Sequence, residues 1–379
     1  MSDDQFIQLA LRLARRGQGR TSPNPMVGAV LVKSGQIVGR GWHRRAGGPH
    51  AEIAALRDAQ KRGKIPRGAT LYVTLEPCST QGRTPPCTDA IVAAGIRRVV
   101  VGATDPNPRH AGKGFQLLQR AGIAVETGIL GETCAGLNTA FNHWIVHRTP
   151  LVTVKAAMTL DGKIATAGGE SKWITGSKAR AYGMKLRQAS DAILVGINTV
   201  LADDPSLTVR PIQSPKSKVQ SPKPLRRIIL DSRARTPLTA KVVSDEFAAL
   251  TTIVIGQHAP RKRVAALAQK VNVLTAPAKP SAIGHPPSAI DLRWLLKKLG
   301  AENVTSLLVE GGGEVNASFL LGGWAQRVAF FYAPKILGGR SARRAVAGAG
   351  AKNLGEVIRL REVKWRRLGE DLLLTACVE

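Results

Sequence analysis

His50, Glu52, Cys78 and Cys87 are the residues whose types and spacing can do chemistry in this chain. Thiolates and imidazole satisfy zinc, and a catalytic zinc keeps three protein ligands and leaves its fourth position open. His50, Cys78 and Cys87 offer three such ligands. Glu52, two residues after the histidine, is then free to move protons. A structural zinc uses four protein ligands. Three ligands and a well-placed carboxylate favour the open, catalytic kind of site.

The order His50-Ala51-Glu52, then Pro77-Cys78, follows the zinc deaminases of amino-bearing rings, where the Glu is general acid and base and not a ligand. One detail differs. The general pattern places two residues between its cysteines, and eight separate Cys78 from Cys87.

The surrounding sequence must hold these four groups still. Phe6, Leu9 and Leu13 recur at helical spacing over residues 3–16. Thr21-Ser22-Pro23-Asn24-Pro25 ends that helix, and the two prolines hold Asn24 in an extended loop. Strands are expected at Val27–Val32 and Ile37–Gly41 around the Ser34-Gly35 turn. His50 opens a helix to about Lys61, which places a ligand on a rigid helix start. A strand over Thr70–Leu75 delivers Cys78. Thr84-Pro85-Pro86-Cys87 opens a helix over Thr88–Ala94, where the local positive potential favours a thiolate. A strand at Arg97–Gly102, a helix at Phe115–Ala121, a short strand at Ile123–Glu126 and a helix over Glu132–His147 complete an alternating order. That order predicts a layered α/β domain, ending near Arg148-Thr149-Pro150.

A second α/β domain begins with a strand over Leu151–Met158, and Asp161-Gly162 forms a tight turn. Trp173 lies in a loop and is expected to be buried. A helix over Lys178–Gln188 and strands at Ala192–Gly196, Arg227–Leu230, Thr252–Ile255, Val271–Leu274, Thr305–Val309, Val328–Tyr332 and Leu372–Val378 follow. Residues 211–224 and 276–289 read as Pro-rich loops. Glu310-Gly311-Gly312-Gly313-Glu314 is a Gly-rich strand-to-helix turn that lets backbone N–H groups approach a phosphate, or is simply a turn. No G-x-G-x-x-G fingerprint is present. Asp203-Asp204, before Pro205, is either an acid pair or a helix-end turn pair. Lys155 sits within an apolar strand and needs a partner, a role that a ligand phosphate fills.

Length and charge bound the rest. The 379 residues call for two domains. No apolar run approaches the length of a membrane span, and the acidic start of the chain is unlike a signal peptide. Four cysteines make no disulfide scaffold. Cys134 and Cys377 read as inert core thiols, and a reduced, cytoplasmic setting is expected. The net charge is +29. Residues 1–150 hold 20 Lys and Arg against 9 Asp and Glu, so the excess is shared by both halves. Such a field attracts nucleic acid, phosphorylated metabolites or dinucleotides, unless it is only a solvated Lys/Arg bias.

TSPNPMVGAVLV, GGPHAEIAAL, LYVTLEPC, GRTPPC and ATDPNP in the first half, with VKAAMTLDGKIA, ESKWITG, NTVLADDPSLTVR, LLVEGGGEVNASFL and APKILGG in the second, resemble the bifunctional pyrimidine deaminase/reductase family of riboflavin biosynthesis. The resemblance covers nearly the full length. The eight-residue cysteine gap is that family's own spacing. The resemblance implies a cytidine-deaminase-like α/β/α domain at residues 1–147 and a dihydrofolate-reductase-like α/β domain at 148–379. It implies Zn2+ on His50, Cys78 and Cys87, proton transfer by Glu52, and substrate contact from Asn24.

For the second domain the resemblance implies NADPH. It places Ala157, Trp173, Thr199, Asp203 and the turn of Gly312, Gly313, Glu314, Val315, Asn316, Ala317 and Ser318 beside the cofactor, with Ser232 added. Ser171, Arg187, Leu207, Arg210 and Glu310 fall on the substrate side, the arginines toward its phosphate. Lys155 and Asp161 are near by pattern but receive no step. The expected partner is a phosphorylated small molecule, with no nucleic acid, no membrane and a homo-oligomeric assembly. Thr80 stands where the family often has His. A tRNA-editing type of zinc deaminase is the rival reading. It would use the basic charge, but it leaves residues 150–379 without a role.

Overall fold

The computed structural model describes residues 1–81, 85–209, 225–277 and 290–379. The Pro-rich segments at 211–224 and 278–289, and Arg210, lie outside the described residues. The chain divides into two compact units, Met1–Arg148 and Thr149–Glu379.

The first unit runs α1 (Asp3–Ala14), β1 (Gly28–Lys33), β2 (Gln36–Trp42), α2 (Ala51–Lys61), β3 (Thr70–Leu75), α3 (Cys87–Ala93), β4 (Arg98–Ala103), α4 (Lys113–Arg120), β5 (Ala124–Thr127), α5 (Gly131–Leu137) and α6 (Thr139–His147). Its sheet has the order β2-β1-β3-β4-β5, antiparallel around β1 and parallel from β3 onward. Successive strand residues point to opposite faces, and both faces are covered. Leu31, Leu71 and Val99 pack with Ala51, Ala55 and Ile91 of α2 and α3. Val30, Tyr72 and Val100 pack with Phe6, Ile7, Ala10 and Leu11 of α1 and with Cys134 of α5. This is the three-layer α/β/α arrangement.

Two glycines set how closely α2 lies on the sheet. A Cβ on Gly41 would sit 2.2 Å from the Ala51 carbonyl oxygen, and one on Gly39 would sit 2.4 Å from that of Ala55. Ala51, Ala55 and Ala59 face them, fully buried. Small residues on both sides therefore seat the helix that carries the ligand histidine.

The helix expected over Glu132–His147 is two helices, broken at Asn138. The Asn138 side chain clamps the backbone of Met26, accepting from its N–H at 2.7 Å and donating to its carbonyl at 2.9 Å. A short amide that competes with helical bonding has taken a tertiary partner instead.

The second unit runs β6 (Leu151–Thr159), β7 (Lys163–Ala165), α7 (Ser177–Ala189), β8 (Ala192–Gly196), α8 (Ile197–Asp203), β9 (Arg226–Leu230), α9 (Lys241–Ser244), β10 (Thr251–Ile255), α10 (Arg261–Ala268), β11 (Asn272–Thr275), α11 (Leu292–Ala301), β12 (Ser306–Val309), α12 (Gly313–Leu321), β13 (Arg327–Ala333), β14 (Arg343–Arg344), β15 (Leu360–Leu368) and β16 (Asp371–Val378). Among the described residues its main sheet has nine strands, ordered β11-β10-β9-β8-β12-β6-β13-β16-β15. The pairs from β11 to β13 are parallel, and β16 and β15 add antiparallel. Parallel strands buried on both faces read as continuous apolar runs, as in Ala192–Gly196, where every residue is buried. Leu194, Ile228 and Val309 pack with α11 and α12 on one face. Ile193, Ile229 and Ile253 pack with α8, α9 and α10 on the other.

Arg227 is fully buried in β9. It makes paired bonds to Asp245 at 2.7 Å each and donates to the carbonyls of Ser206 and Val242 and to Thr251 Oγ1. A charge without water is tolerable when every donor is used, and here it ties down the segment that leads into Leu207.

Candidate active site

His50 is the N-cap residue of α2, with φ −69° and ψ 166°, and its carbonyl takes the first helical bond from Ala54. Cys78 follows the end of β3, and Cys87 is the first residue of α3. Three rigid elements thus converge. Cys78 Sγ lies 3.5 Å from His50 Nδ1, and Cys87 Sγ lies 3.3 Å from the same nitrogen. The three ligand atoms lie within 4.8 Å of one another. Tetrahedral zinc with ordinary bond lengths separates a sulfur from a nitrogen by about 3.6 Å, so the donor set fits that ion.

The two thiols share one negative charge between them: hydrogen bonds from Cys87 and His50 bring the Cys78 thiol down against burial, while the same bond, then burial, pushes the Cys87 thiol up. The Cys87 backbone N–H donates to Cys78 Sγ at 3.3 Å. Glu52 is 3% exposed, and its Oε2 has no hydrogen-bond partner in the protein. Burial first, then the negative Cys78, pushes its carboxyl up to about 7. A buried carboxylate oxygen without a partner is costly, and one beside an ion site is placed to take and return a proton.

Asn24 donates its side-chain amide toward His43 Nε2 at 3.2 Å, while His43 Nδ1 lies 3.0 Å from the Pro49 carbonyl. The carbonyl can only accept, so Nδ1 carries the hydrogen and Nε2 accepts from Asn24. His43 is 2% exposed and stands edge-on to His50, with ring centroids 5.4 Å apart. The sequence singled out Asn24 but missed His43, whose only signal was its place in the loop before Pro49. It also missed Glu76. That buried carboxylate accepts from the backbone N–H groups of Asp105, Gly112 and Gly114 at 3.1, 3.0 and 2.9 Å, and so pins the 105–114 loop beside Cys78. Thr80 is exposed.

In the second unit the expected residues gather beyond the carboxyl ends of adjacent parallel strands, where open α/β sheets bind ligands. Ser232 follows β9, Thr199 and Asp203 lie in α8 after β8, and Glu310 follows β12. Ala157 is in the neighbouring β6. Ser171 Oγ donates to Asp203 Oδ1 at 3.2 Å. Arg187 holds both Glu310 oxygens at 2.8 Å and donates to the Thr208 carbonyl. Lys155 Nζ is 3.7 Å from Glu310 Oε2, so its partner in the protein is a carboxylate. Burial alone would raise the Glu310 carboxyl, but Arg187 and Lys155 outweigh it and carry it down to about 2. Asp161 accepts from Thr159 Oγ1 and from the N–H groups of Leu337 and Gly338, which anchors the turn after β13.

Several residues sit otherwise than expected. Trp173 is 62% exposed, not buried, with the Arg180 guanidinium 4.5 Å from its ring centroid. Only Gly311 and Gly312 form the turn, because α12 begins at Gly313 and Glu314, Val315, Asn316, Ala317 and Ser318 are helical. Ser318 Oγ bonds the Glu314 carbonyl of its own helix, and Ala317 is buried. Asn316 donates to the Ala345 carbonyl at 2.8 Å, while its buried Oδ1 has no partner in the protein. The Leu207 side chain is in the core. Asp203 ends α8, and Asp204 caps it at φ 40°, so the pair is a helix-end turn.

The RibD C-terminal domain model matches residues 150–374. The cytidine and deoxycytidylate deaminase zinc-binding region matches residues 1–103. The chain is 44% identical over 373 residues to riboflavin biosynthesis protein RibD of Aquifex aeolicus, covering 98% of this chain and 97% of that protein. The solved structure of Acinetobacter baumannii RibD aligns with a TM-score of 0.85 at 37% identity, over 100% of this chain and 99% of that one. The Thermotoga maritima diaminohydroxyphosphoribosylaminopyrimidine deaminase/5-amino-6-(5-phosphoribosylamino)uracil reductase aligns with a TM-score of 0.79 at 34% identity, over 100% and 99%. These matches give residues 150–374 the role that a tRNA-editing deaminase leaves them without.

Proposed function

The chain belongs to the RibD family and is a bifunctional deaminase/reductase of riboflavin biosynthesis, and on that premise we propose which residues carry each step. The first unit deaminates 2,5-diamino-6-(5-phosphoribosylamino)pyrimidin-4-one. His50, Cys78 and Cys87 hold zinc, whose Lewis acidity makes a water proton labile near neutral pH. Glu52 accepts that proton and returns it to the departing 2-amino group. Water is consumed, the carbon–nitrogen bond breaks, and ammonia and the uracil leave. Asn24, oriented by His43, holds the ring.

The second unit reduces the ribosyl group of that uracil to ribityl, with NADPH as hydride donor. Ala157, Trp173, Thr199, Asp203, Ser232 and residues 312–318 line the cofactor side. Ser171, Arg187, Leu207, Arg210 and Glu310 hold the substrate. Arg187 is fixed by Glu310 before any ligand arrives, which lowers the ordering cost of binding. Among the described residues no helix is long and apolar enough to cross a membrane. Our reading adds a cytoplasmic homo-oligomer that takes a phosphorylated small molecule and no nucleic acid. Cys134 and Cys377, free thiols outside the zinc-binding set, suit a reducing setting.

The observation that carries the reading is the unpartnered Glu52 carboxylate oxygen beside three converging zinc donors. NADPH consumption followed on both substrates, with and without a zinc chelator, tests it. Chelation should stop ammonia release and NADPH use from the diaminopyrimidine while leaving NADPH use on the deaminated compound. Ammonia released from tRNA alone would overturn it.

A further inference from the structure

Neither site accounts for a group of six basic residues that line one cleft of the first unit. β2 is the free edge of its sheet, with α1 on one face and α2 on the other. Along that edge opens a cleft of about 480 Å3, bordered by Arg16, Arg40, Arg44, Arg57, Lys61 and Arg62. Asp58 is the acidic residue in its lining. It is already committed, to Arg62 Nε at 2.9 Å and to the Arg40 backbone N–H at 2.9 Å. Among the described residues no carboxylate lies within ion-pair distance of Arg16, Arg40, Arg44, Arg57 or Lys61. Arg16 and Arg44 instead lie against the Trp42 ring, 5.1 and 4.6 Å from its centroid. That contact holds a guanidinium in place without neutralising it.

The cleft opens away from Glu52, and the part of its lining nearest the deaminase centre is Pro49, whose carbonyl accepts from His43. Helical residues advance about 100° each, so Ala54, Arg57, Asp58 and Lys61 stand on the face of α2 opposite Glu52. Its volume is in the range of small-molecule sites. A phosphomonoester brings a charge of about −2 at most, less than five unpaired cations can offset. We infer that this cleft binds a small molecule bearing a di- or triphosphate group. A second copy of the chain is a poor occupant, because its first unit carries the same sign of charge.

ADP is a suitable probe, titrated by calorimetry into zinc-loaded full-length enzyme without NADPH, whose own diphosphate would compete for the cleft; any ADP taken up at the reductase site is common to wild type and variants. Arg16→Gln/Arg57→Gln/Lys61→Gln keeps the helix-forming stems and removes three charges. It should weaken ADP binding at least ~tenfold, while zinc content, ammonia release and NADPH consumption stay at wild-type levels. Those retained activities also show that the variant is folded. Arg44→Gln, which removes one stacked cation, should weaken binding in the same direction to a lesser degree. Equal ADP affinity in wild type and triple variant overturns the assignment, as does no ADP binding by the wild type. Inorganic phosphate binding as tightly as ADP overturns the di- or triphosphate class.

Discussion

Glu52 and Glu310 show how one residue type takes opposite states in two sites of one chain. Both are buried, and burial raises a carboxyl pKa. Glu52 has no cation bonded to its Oε2 and rises to about 7. Glu310 has two cations and falls to about 2. The first is suited to moving protons and the second to holding arginine. Glu52→Gln keeps the shape and removes the proton carrier. Ammonia release should fall about 10²–10⁴-fold, while bound zinc, read by metal analysis, and NADPH use on the deaminated substrate are unchanged. Glu310→Gln breaks a buried pair and should cost about 3–5 kcal/mol at neutral pH, read from denaturant midpoints. Because the folded pKa of Glu310 is depressed, that stabilisation is complete above its ordinary value near 4.5 and is lost as pH falls toward 2. The gap between wild type and variant should close over that window, and a gap that persists at pH 2 would refute the assignment. Glu52 was legible because it stands two residues from a ligand histidine. His43 and Glu76 were not, because a buried side chain bonded to backbone leaves no spacing rule in the sequence.

At the scale of elements, periodicity told most where one face is buried. α1, β1, α2 and β3 stand close to where alternation and helical spacing put them, and the N-cap position of His50 followed from its place after Pro49, although the apolar residues buried on α2 are Ala51, Ala55 and Ala59 and not the Ile53, Ala54 and Leu56 side that the spacing suggested. β15 went unread because it is a solvent-facing edge strand with its interior residues exposed, so Leu360–Leu368 carries no apolar alternation. The break at Asn138 went unread because its cause, the Met26 backbone, is 112 positions away in sequence. Trp173 was misplaced because an aromatic residue in a loop is usually core, and this one lies under an arginine. The β2–α2 contact makes a prediction of its own. Gly41→Ala puts a methyl 2.2 Å from the Ala51 carbonyl oxygen, backbone that cannot step aside without moving the start of α2. Overpacking of this kind costs about 1–3 kcal/mol. His50 and Glu52 share that helix start, so zinc affinity and ammonia release should drop together, while NADPH use on the deaminated substrate is kept. Gly35→Ala is the contrast. It has φ 72° but open space around its Cβ, so its strain stays in the β1–β2 turn and zinc binding should be preserved.

At the scale of the whole molecule, each unit has its own sheet and its own core clusters. The residues proposed for each step belong to one unit alone. The chemistry imposes an order all the same, because the uracil made in the first site is the compound reduced in the second. Two crippled chains should therefore complement each other. Glu52→Gln cannot release ammonia but keeps an intact second unit. Glu310→Gln loses the carboxylate that fixes Arg187, yet its first unit keeps the zinc donors and Glu52. Alone with the diaminopyrimidine and NADPH, the Glu52→Gln chain should oxidise almost no NADPH, and the Glu310→Gln chain should release ammonia without matching NADPH use. Mixed, they should restore NADPH oxidation after a lag in which free deaminated intermediate builds up, and the lag should shorten as the Glu310→Gln chain is increased. If the mixture stays silent while each chain keeps its single activity, the intermediate does not travel through solvent. The two steps must then be completed within one assembly, and the picture of two self-sufficient sites fails.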